Sequence, residues 1–203
     1  MTVTRFRFVP LVFALLAGCG LSRPPIDRQT YLLAPARDAP AASAAKPVAV
    51  KVRPMRAAPL YERREFVYRV DGERVVSDFY NEFAEAPEAL LTSAVTGWLR
   101  SARLFATVVE PGVPVDAPYV LDGTLVTLQG DLRDPARPAA EMAVQFYLVR
   151  MRAAGPEIVY DRLLSSRVEV KSGSAQALAA GYGQALARIL GQLERDLAAL
   201  ELK

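Results

Sequence analysis

Apolar and polar residues alternate along several stretches of this chain, and the alternation predicts β-strands. The first clear case is Val48, Val50 and Val52, which are separated by Ala49 and Lys51. A period of two residues is typical of a strand that buries one face. On similar grounds we expect strands over residues 66–70, 73–80, 104–109, 119–128, 142–149 and 158–170.

The predicted strands 66–70 and 73–80 are separated by Asp71 and Gly72. Asp-Gly tolerates the positive φ angles that both central residues of a type I′ turn require. The sequence therefore predicts a hairpin with a two-residue type I′ turn at Asp71-Gly72.

In two further segments the apolar residues recur every three to four positions, which is the period of a helix. The first has Pro87 at its first helical position and an apolar stripe with Trp98, the only tryptophan, as a packing anchor. The second begins after Ser174, a residue type that caps helix N-termini. The two stripes are Leu91, Val95, Trp98, Leu99 and Ala102, and then Leu178, Tyr182, Ala185, Leu186, Ile189, Leu193, Leu197 and Leu200. In the second helix we expect Gly181, Gly183 and Gly191 to allow close approach to the sheet.

This order of strands and helices predicts an α+β fold, with an antiparallel (mixed) β-sheet packed on one face by two α-helices. Residues 48–203 are predicted to form a single domain. Residues 130–140 hold two prolines and several charges, and we expect them to form an exposed loop.

The N-terminal segment predicts export. Arg5 and Arg7 precede a ten-residue apolar run, which is too short to span a membrane and ends in Leu16-Ala17-Gly18-Cys19. That ending resembles the bacterial lipobox, so residues 1–18 are predicted to be a lipoprotein signal peptide and Cys19 the lipidation site. An ordinary signal peptide followed by an incidental cysteine is the alternative.

Residues 19–47 are predicted to tether the domain to its anchor. They are rich in alanine and proline and have no periodicity, apart from a short strand near 30–33 that is expected to dock as an edge strand. A flexible tether of this length would reach about 25–30 Å.

Composition excludes most other kinds of function. The chain has 25 Lys and Arg against 22 Asp and Glu, and removal of Arg5 and Arg7 with the signal leaves a nearly neutral protein without a nucleic-acid face. It has no histidine and one cysteine, which removes the commonest general base and metal ligands. A Ser-Lys pair at Lys171 stays formally open. We expect no enzyme activity, no metal, and no cofactor beyond the lipid on Cys19.

The order of features resembles the ABC-type transport auxiliary lipoproteins, the PqiC-like partners of MCE-domain intermembrane lipid transporters. The resemblance is carried by Tyr31-Leu32-Leu33, the strand 48–52, Phe66-Val67-Tyr68-Arg69, the run 79–87, and an Ala- and Leu-rich closing helix. Such sequences commonly have tryptophan where this chain has Phe83, so an indole N–H is lost here. The resemblance implies a periplasmic domain on the outer membrane that helps an MCE protein, a permease and an ATPase to move lipid.

Within that picture the chain is expected to dock or align its partner, the MCE-domain protein. Gly20 follows Cys19 where an aspartate would favour inner-membrane retention, which favours the outer membrane. The partner surface is predicted at the loop 130–140 or at an open sheet edge, and a homo-oligomer is left open. The competing interpretation is a structural or assembly lipoprotein, such as a secretion-pore subunit or a regulator of cell-wall synthesis.

Overall fold

The computed structural model describes residues 27–203, which form one mixed β-sheet and two helices. The strands are β1 (Gln29–Tyr31), β2 (Lys46–Val52), β3 (Arg56–Ala57), β4 (Glu65–Asp71), β5 (Arg74–Phe83), β6 (Phe105–Val109), β7 (Tyr119–Asp131), β8 (Ala139–Arg152) and β9 (Gly155–Glu169). The helices are α1 (Pro87–Ala102) and α2 (Ala175–Ala199), and a single 3-10 turn lies at Pro59–Tyr61. The predicted α+β class is confirmed.

The sheet is organised around β7. One edge of β7 pairs antiparallel with β8 along its whole length, and β8 pairs in the same sense with β9. The other edge is shared by three strands in succession, since β2, β3 and β4 each pair in parallel with a different part of β7. From there the sheet extends through β2 to β6, and through β4 to β5 and β1. The sheet is therefore mixed: β7 has a long antiparallel pairing along one edge and three short parallel pairings along the other.

Both helices pack on one face of this sheet, as predicted. α2 contacts β8 and β9, whereas α1 contacts β2, β3, β6 and β7. The apolar stripes of both helices are buried, except that Leu200 follows the last turn of α2 and is only partly buried. Neither helix is both long enough and apolar enough to cross a membrane within the described chain.

The helix starts follow the sequence signals. Pro87 is the first residue of α1, where its missing N–H costs nothing. The Ser174 side chain accepts a hydrogen bond from the backbone N–H of Ala177 at the start of α2. Both helices therefore begin where their local signals predict.

Of the three glycines predicted to approach the sheet, only Gly181 does so. A Cβ on Gly181 would lie 2.7 Å from Ala140 Cβ of β8 and 2.7 Å from Val170 Cγ1. Gly183 instead approaches a backbone carbonyl outside the sheet, and a Cβ on Gly191 would meet nothing closer than 3.6 Å. The prediction fails at the last two positions because a helix of 25 residues turns each glycine toward a different neighbour.

The predicted hairpin forms, but its turn differs from the prediction. Asp71 pairs with Arg74, so the two loop residues are Gly72 and Glu73. Only Gly72 has a positive φ, of 40°, so the turn is not type I′. The register shift between Arg69 and Asp71 moves the turn by one residue relative to the alternation pattern.

Candidate functional site

The first strand, β1, lies at the edge of the sheet beside β5. Cys19 lies outside the described residues, so its lipidation stays a prediction. Gln29 and Tyr31 of β1 pair in parallel with Asn81 and Phe83 of β5. The short strand expected near 30–33 is thus present at 29–31.

The next residues, 32–45, cross the helical face and are called the strap here. A Cβ on Gly183 of α2 would lie 2.9 Å from the carbonyl oxygen of Ala34, so glycine is needed for this contact. Farther along, the N–H of Ala42 donates to the carbonyl of Ala102 at 2.8 Å. Residues 34–47 are predicted to be a linker rather than a packed element, but Ala34 and Ala42 of the strap lie against α2 and α1.

A partly buried ion pair holds the strap against α2. The Arg37 guanidinium donates to both carboxylate oxygens of Glu194 on α2, at 3.0 and 2.8 Å. Trp98 Nε1 donates to the same carboxylate at 2.7 Å, which joins α1 to the pair. The hydrogen bonds from Arg37, and secondarily from Trp98, outweigh burial and lower the pKa of Glu194. The packing role predicted for Trp98 is confirmed, since Trp98 lies in the core.

Next to β1, strand β5 is interrupted by a large bulge. Pairing with β4 moves from Val67–Ser77 to Glu65–Glu82, which is two steps along β4 against five along β5. Asp78 closes the bulge: its carboxylate accepts hydrogen bonds from the backbone N–H groups of Tyr80 (2.8 Å) and Asn81 (3.1 Å). Bulges of this kind re-aim side chains at sheet edges.

Two further donors complete the environment of Asp78. Tyr68 Oη donates to Oδ2 at 2.6 Å, and the side-chain amide of Asn81 donates to it at 2.8 Å. Burial opposes ionisation of Asp78, but these hydrogen bonds outweigh it, so its pKa is lowered. The Asp78 carboxylate therefore holds the bulge in place by accepting four hydrogen bonds.

The bulge displays two aromatic side chains, Phe79 and Tyr80, which we call the aromatic knuckle. Phe79 is 52% exposed and Tyr80 58% exposed. Their rings meet edge to face, with centroids 5.3 Å apart, and the Arg28 guanidinium lies 4.8 Å from the centroid of Phe79. Sequence reasoning placed both residues on a strand and missed their exposure. An Asp three residues before an Asn was the available signal for an irregular segment.

Immediately after the knuckle the chain returns to the core. Phe83, which stands where the resemblance leads us to expect tryptophan, is buried with its ring centroid 4.5 Å from that of Phe66. The Tyr182 ring lies 5.9 Å from Phe83, and Tyr182 Oη is buried without a hydrogen-bond partner among residues 27–203. The knuckle is thus supported from below by an aromatic cluster.

The loop expected at 130–140 is shorter than predicted. Gly130 and Asp131 belong to β7, Ala139 and Ala140 to β8, and only 132–138 lie between the strands. Asp131 is buried, because its carboxylate binds Arg133 (2.8 Å) and Arg167 (3.2 Å). Hydrogen bonds from Arg133, helped by Arg167, hold the pKa of Asp131 well below its usual range. Charged residues suggested exposure here, but ion pairing allows a carboxylate to be buried.

Residues 27–203 contain no cluster of three or more acidic or cysteine side chains that could hold a metal ion. Two large surface hollows, of about 430 and 530 Å³, lie beside the strap and along α1, and both are open to solvent. Their linings consist mainly of small residues, so neither resembles an enclosed ligand cavity.

Comparison with known protein families shows which family this chain belongs to. Residues 31–194 match the family described as ABC-type transport auxiliary lipoprotein component. The chain belongs to that family. The matched range runs from the last residue of β1 into α2, so the strap and the knuckle are both within the family's domain. Among curated proteins, a sequence search found no match.

Solved structures share the fold of this auxiliary lipoprotein. Protein XCC0632 from Xanthomonas campestris, of family DUF330, superposes with a TM-score of 0.66 at 16% identity, over 83% of this chain and 91% of that one. An uncharacterized protein superposes with a TM-score of 0.61 at 14% identity, over 84% and 99%. The dodecamer of a PelC point variant from Paraburkholderia phytofirmans reaches a TM-score of only 0.44 at 17% identity, over 76% of this chain and 93% of that one, which is too little similarity to bear on the assembly of this chain.

Proposed function

We propose that this chain is an outer-membrane-anchored periplasmic lipoprotein that docks or aligns an MCE-type lipid transporter, without catalytic activity of its own. The observation that carries the proposal is membership of the ABC-type transport auxiliary lipoprotein family over residues 31–194. The MCE-domain protein is the partner that the sequence resemblance implies.

The surface of the domain supports a docking role rather than a lipid-carrying one. The apolar residues of both helical stripes pack against the sheet, so they are not available to line a lipid tunnel. The two large hollows are open and hold few large apolar side chains. Energy for transport would come from the ATPase of the system, and this chain would contribute binding surface.

Anchoring through Cys19 is the first part to test. Fatty-acid labelling followed by mass spectrometry of the N-terminal peptide should find acyl chains on Cys19 in the full protein. Cys19→Ser should remove the label. Cys19→Ser combined with Ser43→Cys is the matched control, since it restores a cysteine away from the lipobox and should stay unlabelled. Label on that control would contradict the site.

The partner is tested separately. Crosslinking of the lipidated protein in its own membranes should recover the MCE-domain protein of an ABC lipid transporter. Recovery of secretion-pore or cell-wall synthesis proteins in its place would overturn the proposal in favour of an assembly role. The loop surface can be tested in the same assay with Arg137→Ala, which spares the buried Asp131, and unchanged crosslinking would remove the loop from the interface.

A further inference from the structure

The strap changes how far the domain can move from its anchor. If Cys19 is lipidated, as proposed above, only ten residue steps separate it from Gln29, where β1 begins. Those steps span at most about 33–36 Å when fully extended, and about 16–19 Å as a coil. The longer reach predicted for residues 19–47 does not apply, because residues 29–47 are held on the body.

A reach this short orients the domain. A globular domain of about 180 residues has a radius of gyration of about 16 Å, which corresponds to a diameter of about 40 Å, so its far side lies beyond the reach of the anchor. The end of the sheet where β1 pairs with β5 must therefore be the end nearest the lipid surface. The aromatic knuckle lies at this end, since Arg28 contacts the Phe79 ring and Gln29 pairs with Asn81.

The edge of β5 at this end is suited to a membrane interface. β1 covers only Asn81–Phe83, so 74–80 have no strand partner on that side among the described residues. Val75 and Val76 on the same strand are each about 40% exposed. Aromatic rings are favoured at the level of lipid headgroups, where water can still satisfy free backbone groups.

From the anchor length and this exposed edge, we propose that the aromatic knuckle contacts the lipid surface beside the acylated Cys19. The lipid chains hold the protein at the membrane, and Phe79 and Tyr80 fix which end of the sheet faces it. The proposal rests on the lipid anchor of the proposed function. The bulge closed by Asp78 presents the two rings outward, away from the core.

The test places a fluorescent probe on the knuckle of the full lipidated protein. Phe79→Trp and Tyr80→Trp are compared with Ile158→Trp, which lies in β9 at the opposite edge of the sheet and is 59% exposed. Each protein is reconstituted in vesicles of phosphatidylethanolamine and phosphatidylglycerol, with and without brominated acyl chains. Emission is measured rather than vesicle binding, because the acyl chains alone would hold every variant on the membrane. The spectrum of buried Trp98 in the unmodified protein is subtracted.

We expect blue-shifted emission and bromine quenching for both knuckle variants, and neither for Ile158→Trp. Equal quenching of all three variants, or of none, in protein that carries lipid would overturn the orientation while leaving the anchor intact. Absence of acyl chains on Cys19 would overturn both proposals. A shift at the knuckle that requires added MCE-domain protein would assign this surface to a protein partner and overturn the membrane contact.

Discussion

Two carboxylates organise the two irregular segments that bear on function, and they are stabilised in different ways. Asp78 holds the bulge in β5 with neutral donors: two backbone N–H groups, the Asn81 amide and the Tyr68 hydroxyl. Asp131 holds the end of β7 and the following loop with two guanidinium groups, from Arg133 and Arg167. Both carboxylates have lowered pKa values, one through dipoles and the other through charges.

The two carboxylates differ in how far along the sequence their hydrogen-bond donors lie. Apart from Tyr68, the donors to Asp78 lie within three residues of it, so this carboxylate shapes a local segment. Arg167 is 36 residues from Asp131 and lies on β9, so that carboxylate joins β7 to β9, with β8 between them. We therefore expect loss of Asp131 to affect the stability of the whole domain, and loss of Asp78 to affect mainly the knuckle.

The largest effect is expected for Asp131→Asn. Removing one partner of a fully buried ion pair costs about 3–5 kcal/mol, but here both arginine side chains stay 40% exposed and can be hydrated. A loss of about 2 kcal/mol in the free energy of unfolding is expected, measured by urea denaturation. The exposed Asp134→Asn in the same loop is the matched control and should change stability little. Equal effects of the two substitutions would show that the pair contributes nothing specific.

Asp78→Ala should have the next largest effect, and mostly a local one. It removes the acceptor of four hydrogen bonds from a partly buried site, so we expect a loss of about 1–2 kcal/mol. Hydrogen exchange should become faster at the amides of Tyr80 and Asn81 but not in the core of β7. Asp78→Asn, which keeps one acceptor oxygen, should recover part of the protection.

The control for this substitution is Asp71→Ala at the hairpin tip, where the partner Arg74 and the aspartate are both largely exposed. It should leave the exchange of Tyr80 and Asn81 unchanged. If Asp78→Ala instead exposed amides throughout the sheet, the local role assigned to Asp78 would be wrong.

Neither the packing of the strap nor the exposure of the aromatic knuckle was predicted from the sequence. Alternation predicted the strands and helical spacing predicted the helices, whose starts Pro87 and Ser174 marked, because these signals depend on neighbours within a few residues. The strap has no periodicity, and its fastening depends on Arg37 meeting Glu194 across 157 positions of sequence. No local pattern encodes such a pairing. The burial of Asp131 was missed for the same reason, since Arg167 comes from another strand.

Acid should weaken the contribution of Asp131 in a defined pH range. Because its folded-state pKa is lowered, the ionised form stabilises the fold above the ordinary carboxyl pKa of about 3.9, and this stabilisation is lost as pH falls toward the folded-state value. The difference in unfolding free energy between the unmodified protein and Asp131→Asn should therefore be constant from about pH 7 to 5 and shrink toward pH 3. Urea titrations at several pH values measure it, and a difference that grew on acidification would contradict the assignment.

The smallest effect is expected where a buried polar group has no hydrogen-bond partner in the described part of the chain. Tyr182 Oη lies in the core among Phe66 and Phe83, and no donor or acceptor within residues 27–203 reaches it. The carboxylates of Asp78 and Asp131 accept hydrogen bonds from the donors around them, so removing either carboxylate costs stability. Removing an unsatisfied hydroxyl instead relieves a desolvation penalty. Tyr182→Phe should therefore be neutral or stabilising by up to about 1 kcal/mol in urea denaturation. Tyr160→Phe is the matched control, because Tyr160 Oη donates to Asp196 at 2.7 Å and its loss should destabilise. A clear loss of stability in Tyr182→Phe would mean that the hydroxyl has a hydrogen-bond partner.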